Sequence, residues 1–250
     1  MTIAKFMTAA VLAASMWSGT ASAAVLIHHY ELNGDLTDVY GGPSLVSLGG
    51  SLTSTPGRYD FGVNQGLRLT SGLNDIGIWS LDFKASYASL SGTWKKLVDF
   101  RNLTTDDGLY FANDKLQFYP DATGTTAVTT NTDYTIALTR DGSGTLSGYV
   151  NGLLQWAIAN ESESNVIGNV LTFFTDDVST GQREAQPGSV DFIRIYDGVL
   201  TAGDVAILDQ GGTVGAPATS VSEPGGLALL SAGLFALGWG GRKRKNDQAA

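Results

Sequence analysis

Tyr134-Thr-Ile-Ala-Leu-Thr-Arg140, then Leu146-Ser-Gly-Tyr-Val150, then Asn151-Gly152, then Leu153-Leu-Gln-Trp-Ala-Ile158 is the stretch that decides the architecture. The first run alternates large apolar with small or polar residues, as a half-buried strand does, because successive side chains of a strand point to opposite faces. The next two runs flank an Asn-Gly pair, which accepts the positive φ angles of a type I′ turn and so predicts a hairpin. The same texture extends outward in both directions. Strands are expected over Ala24–Leu32, Leu45–Leu52, Leu67–Thr70, Ile76–Lys84, Lys96–Arg101, Leu109–Ala112, Lys115–Tyr119, Val170–Thr175 and Val190–Tyr196. The last of these is apolar on both faces, which suits an inner strand covered on both sides. Only Thr201 to Leu208 reads as a helix, with Thr201 as N-cap and Asp204 in the first turn. About eleven short strands separated by Gly, Asn and Asp clusters predict an all-β, two-sheet antiparallel sandwich or jelly roll.

Composition narrows the class further. The 250-residue chain has no cysteine, 32 glycines, 15 basic and 24 acidic side chains. The absence of cysteine excludes a disulfide framework and any thiolate site. An apolar fraction of 43% with only 16% charged residues excludes a disordered chain. The acidic balance argues against a nucleic-acid partner, which needs a basic face.

Both ends read as addresses. Lys5, the uncharged run Met7 to Trp17 and the small-x-small pattern Ala21-Ser22-Ala23 predict a signal peptide over residues 1–23, with cleavage before Ala24. A body is expected over 24–210 and a linker over 211–220. Val221-Ser222-Glu223-Pro224 then precedes a hydrophobic helix over 225–241 and the basic cluster Arg242-Lys243-Arg244-Lys245. Basic residues directly after an apolar segment stay on the cytoplasmic side. Such a chain is expected to be exported through the inner membrane and anchored there transiently. These ends hold five of the 15 basic but only two of the 24 acidic side chains, so residues 24–222 keep 10 basic and 22 acidic groups.

The C-terminal 30 residues resemble the PEP-CTERM sorting signal of exopolysaccharide-producing Gram-negative bacteria, with Ser222 where that motif has proline. The resemblance implies processing by an exosortase and delivery to the cell surface or extracellular matrix. Within the body, Tyr30-Glu-Leu-Asn-Gly-Asp-Leu-Thr-Asp38 is similar to the opening strand and turn of LamG-like, concanavalin A-like jelly rolls. Tyr149-Val-Asn-Gly152 resembles their late hairpin. Gly188-Ser-Val-Asp-Phe-Ile-Arg-Ile-Tyr196 with Val199-Leu-Thr-Ala-Gly-Asp-Val-Ala-Ile-Leu208 resembles their closing strand and short helix. The likeness implies two sheets of six or so strands, a carbohydrate- or protein-binding role and a structural calcium.

The chemistry available is sparse. A glucanase on this fold carries two carboxylates ~5–5.5 Å apart, on one strand face. The body's glutamates are Glu31, Glu161, Glu163 and Glu184, and the hydrolase run is absent. Glu161-Ser-Glu163 has the right alternation but lies in a stretch whose composition reads as a solvated loop. His28 and His29 are adjacent on a strand and face opposite ways. For calcium, Asp176, Asp177 and Glu184 are the first candidate set, since oxygen-rich loops suit that ion. Asp106-Asp107 and Asp35 with Asp38 follow. For sugar stacking, Trp94, Tyr110 and Tyr119 are the candidates, with Tyr87 behind them, whereas Trp79 and Trp156 read as core. The expected function is a non-catalytic domain that binds extracellular polysaccharide or a surface protein. A glycan hydrolase or lyase, and a purely structural surface protein, are the alternatives.

Overall fold

The computed structural model describes residues 23–54, 57–90 and 94–215. Residues 1–22 of the predicted signal peptide, Ala21 among them, the motif Val221–Pro224, the predicted helix over 225–241 and the basic cluster lie outside the described residues. No helix among the described residues is long and apolar enough to cross a membrane.

Two antiparallel sheets face each other. The strands in chain order are β1 (Val25–Tyr30), β2 (Val46–Ser47), β3 (Ser51–Ser54), β4 (Gly57–Phe61), β5 (Leu67–Thr70), β6 (Trp79–Tyr87), β7 (Trp94–Asp99) and β8 (Gly108–Ala112). They continue with β9 (Lys115–Tyr119), β10 (Ala122–Thr123), β11 (Tyr134–Arg140), β12 (Leu146–Val150), β13 (Leu153–Ile158), β14 (Val170–Phe173) and β15 (Gly188–Asp197). One sheet has the order β13-β12-β11-β6-β15-β4-β3, with β1 also paired to β15; the other runs β10-β9-β8-β7-β14-β5-β2. The sheets thus carry eight and seven strands rather than six or so. The additional ones are short: the two-residue β10, and β4, whose Gly57-Arg-Tyr-Asp-Phe61 alternates too briefly to stand out.

The predicted strand Leu45–Leu52 is two strands in different sheets. Gly49 and Gly50 take φ of 107° and 99°, a region that favours glycine. They turn the chain out of β2 in the seven-stranded sheet and into β3 in the eight-stranded one. The hairpin β12–β13 forms as expected, with Asn151 and Gly152 at φ 48° and 74°. Within it Gly148 is a packing requirement, because a Cβ there would stand 2.4 Å from Cζ2 of Trp156.

The inner faces supply one core. Trp79, Leu81, Phe83, Ala85 and Tyr87 of β6 meet Leu109, Phe111, Leu116 and Phe118 of β8 and β9. Phe61 stacks on Phe174 at 4.3 Å and Trp79 on Phe100 at 5.4 Å. Strand β15 pairs with β6 on one side and with β4 and β1 on the other. Its Ile193 and Ile195 enter the core, while Tyr196 joins a second apolar cluster outside the sheet with Leu26, Tyr149, Leu200, Val205 and Leu208. That cluster lies under the helix α1 (Ala202–Asp209), which explains why β15 is apolar on both faces. Helix α1 begins with a capping box: Asp204 N–H donates to Thr201 Oγ1 at 3.2 Å and Thr201 N–H to Asp204 Oδ2 at 2.8 Å. Gly211–Gly215, placed in the linker by composition, lie against β1, where Leu26 N–H donates to Gly215 O at 2.7 Å.

Candidate functional site

The two groups of residues singled out separately, aromatic and acidic, meet on the outer face of the seven-stranded sheet. Leu109, Phe111, Leu116 and Phe118 point into the core. The alternate positions of β8 and β9 therefore carry Tyr110, Gln117 and Tyr119 outward, with Tyr110 opposite Gln117, and on the neighbouring β7 Lys96 stands opposite Tyr110 and Trp94 opposite Ala112 on the same face. Trp94 stands edge-to-face against Tyr110 at 5.3 Å and against Tyr119 at 5.1 Å. Such pairs contribute about 0.5–1.5 kcal/mol beyond buried area, so the indole is held in one orientation. Trp94 and Tyr119 are half-buried and present ring surface to solvent, whereas Tyr110 is fully buried. Tyr110 is thus the support beneath the platform and not a contact residue, because the loops after β7 and β14 close over it.

Those loops bring in the acids. Lys96 is completely buried, and its ammonium donates to Asp177 Oδ2 at 3.0 Å, to the carbonyl oxygens of Asp107 and Asp106 at 3.2 and 3.4 Å, and to the Tyr110 hydroxyl. Asp99 Oδ2 lies 3.6 Å from the same nitrogen, and the Tyr110 ring centroid 4.4 Å away. The Tyr110 hydroxyl in turn donates to Asp106 O at 2.6 Å. Burial works to raise the Asp177 carboxyl, but the Lys96 charge and the N–H groups of Thr180 and Ser179 outweigh it and hold that group below the usual range. Burial raises Asp99 and Asp176. Burial, with Asp106 and Asp176 nearby, pushes Glu184 up to about 7.

This arrangement does not fit the calcium shell that the family resemblance implies. Asp177 spends one oxygen on Lys96 and the other on the N–H groups of Ser179 (2.8 Å) and Thr180 (3.3 Å). Asp176 Oδ2 accepts from Thr180 Oγ1 and the Glu184 N–H. Among the described residues no three His, Asp or Glu side chains gather so as to hold a metal ion. The cation at the centre of the cluster belongs to the chain itself. Lys96 was not among the sequence candidates; its only signal is a lysine beside the apolar pair Leu97-Val98 of a strand, which must find acceptors once buried.

The other acidic pairs serve their turns. Asp38 accepts from His28 Nδ1 (2.8 Å) and from the N–H groups of His29 and Gly42, and Asp35 accepts from Thr37. Glu161 departs from its reading as a solvated loop residue: it is 5% exposed and accepts from Ser164 N–H at 3.0 Å. Its burial follows from the adjacent Arg140, whose guanidinium donates to Glu161 O at 3.1 Å and ties the loop to β11. A cleft of about 460 Å3 is lined by Pro120, next in the chain to Tyr119, and by Arg101, Asp107, Asp121 and Glu163. Glu163 there is paired with Arg101 at 3.3 Å. A second cleft, of about 530 Å3, lies against the eight-stranded sheet at Arg58, Asp60, Asp133 and Ser189.

An all-β two-sheet antiparallel sandwich of jelly-roll type, with an aromatic and acidic outer face, is the class these features define. No family model matches the chain, and no curated protein does. Solved structures do match in fold. Domain 4 of AbnA, a GH43 extracellular arabinanase from Geobacillus stearothermophilus, in complex with arabinotriose, superposes with a TM-score of 0.60 at 20% identity. The match covers 75% of this chain and 100% of that one. The botulinum neurotoxin serotype D binding domain gives 0.56 at 15% identity, over 75% of this chain and 52% of its own. Trypanosoma rangeli sialidase in complex with the inhibitor DANA gives 0.55 at 15% identity, over 76% and 34%. At these identities the likeness is one of fold.

Proposed function

We propose that this chain is an exported, non-catalytic binding domain that holds a glycan on the outer face of its seven-stranded sheet. One observation carries the reading: Trp94 and Tyr119, half-buried and locked edge-to-face, form a rigid ring surface, and Pro120, next in the chain to Tyr119, lines a polar cleft. Sugar rings have an apolar C–H face that packs on aromatic rings, while hydroxyls are met by nearby carboxylates and guanidinium groups such as Asp107, Asp121 and Arg101. Fold neighbours whose names concern arabinotriose and a binding domain support the class of role. Export, exosortase processing and a final place in an extracellular polysaccharide matrix rest on the two terminal segments read from sequence.

One feature favours the hydrolase alternative. Glu184, with its carboxyl pushed up to about 7, stands beside other carboxylates near the platform, and a proton held near neutrality is what a general acid needs. Incubating the full chain with exopolysaccharide and with arabinan separates the readings. Retention of the polysaccharide without shortening supports the binding domain, and chain shortening supports the enzyme. Trp94→Ala is expected to weaken retention tenfold or more, and unchanged retention refutes the platform.

A further inference from the structure

We propose that Lys96 and Asp177 become joined by an intramolecular amide, a covalent cross-link between β7 and the loop after β14 that the folded chain forms by itself. The two side chains are completely buried and 3.0 Å apart, Nζ to Oδ2. The other oxygen of Asp177, Oδ1, already accepts two backbone N–H groups, Ser179 at 2.8 Å and Thr180 at 3.3 Å. Those donors sit where negative charge develops when an amine adds to the carboxyl carbon, as an oxyanion hole does. On the far side, Asp99 is also completely buried, and its Oδ2, 3.6 Å from the same nitrogen, has no hydrogen-bond partner. A nucleophile, an electrophilic carbon with a polarised oxygen and a carboxylate oxygen without a hydrogen bond are therefore gathered out of water, Asp99 being held through its Oδ1 by the N–H groups of Arg101 and Leu103. Held in this way, the reaction becomes effectively unimolecular.

The step balances without any other reagent. The Lys96 ammonium passes one proton to Asp177 Oδ2, and the neutral amine attacks Asp177 Cγ, forming the C–N bond and placing an electron pair on Oδ1. Asp99 Oδ2 takes a second proton from the nitrogen and delivers it to the Oδ2 hydroxyl. As the Oδ1 pair returns, the C–O bond breaks and one water leaves. An ammonium and a carboxylate become a neutral amide, which relieves the desolvation of a buried ion pair. The remaining amide N–H faces the Tyr110 hydroxyl and the Asp107 carbonyl, which Lys96 already contacts. In a chain with no cysteine this would be its covalent staple.

Peptide mapping of the full chain tests it. After denaturation and trypsin digestion, mass spectrometry is expected to find Lys96–Arg101 joined to Asp141–Arg183, with the mass one water short of the sum, because trypsin does not cut after an acylated lysine. Recovery of free 97–101 together with unmodified 141–183 overturns the proposal. Succinimides at Asp107-Gly108, Asp141-Gly142 or Asp197-Gly198 also lose water but leave Lys96 cleavable, and so count against it. Asp99→Asn, nearly isosteric, is expected to slow cross-linking at least tenfold; an unchanged rate removes Asp99 from the mechanism.

Discussion

Asp82 should make this protein lose stability as the solution moves from mild acid to neutrality. It sits on the outer face of β6, completely buried, opposite Arg194 of β15, and the two side chains approach to 2.8 Å. Neither Asp82 oxygen has a hydrogen-bond partner. Burial raises its carboxyl from 3.8 to about 6, with Arg194 opposing and Asp209 adding to the shift. Because the folded form holds the proton more tightly than the unfolded chain, the contribution is full below the unfolded value and lost as pH rises through the folded one. The whole shift is worth about 3 kcal/mol, at 1.36 kcal/mol per pH unit, of which about 2 kcal/mol falls between pH 4.5 and 7.5. Glu184, Asp176 and Asp99 are raised too and act in the same direction. Asp35, Asp38 and Asp141 are held low, so their contributions are present at neutrality and are lost only as pH falls through their lowered folded values. Urea unfolding at several pH values, on the wild type and on Asp82→Asn, measures the effect. Arg194 keeps its contact over the Phe192 ring, 4.1 Å away. The variant should therefore lose about 2 kcal/mol of the wild-type difference between pH 4.5 and 7.5. An identical pH dependence in the two proteins refutes the assignment to Asp82.

Other expectations follow from the same physics. Lys96→Met removes the central cation and leaves Asp99 and Asp177 buried without compensation, which costs about 3–5 kcal/mol, read by denaturant midpoint. Since the chain supplies that cation, EDTA should leave the melting temperature unchanged; a clear fall would reveal a bound metal ion. Gly148→Ala drives a methyl into the Trp156 ring and should cost about 1–3 kcal/mol, with a changed indole fluorescence as a second readout.

The hairpin around Asn151-Gly152, β11, β9 and the capped helix α1 were all legible in sequence, within a residue or two. Each is set by local chemistry: alternation over one strand, positive φ in one turn, a threonine hydroxyl over one helix end. Trp79 and Trp156 were legible as core, because each sits in a local pattern that fixes its face, whereas Trp94, expected to be exposed, is half-buried. The split of Leu45–Leu52 was not legible, since Gly49-Gly50 in an apolar run is equally compatible with a bulge within one strand. Tyr110, expected as a stacking contact, is fully buried, because whether a loop covers its face is not written in β8.

The residue types of the site were thus determined by sequence: aromatics on β7, β8 and β9, and acids in the loops that follow β7 and β14. Their meeting was decided only in three dimensions. Lys96 and Asp177 are 81 positions apart, and nothing in either neighbourhood specifies that β14 pairs beside β7. That pairing is a property of the whole sandwich, in which Phe173 and Val98 share one core and so carry the following loop over Lys96. Sequence supplied an excess of acid; the tertiary fold buried Asp99 and Asp177 around Lys96, because charges withdrawn from water must find their counter-charge within the chain.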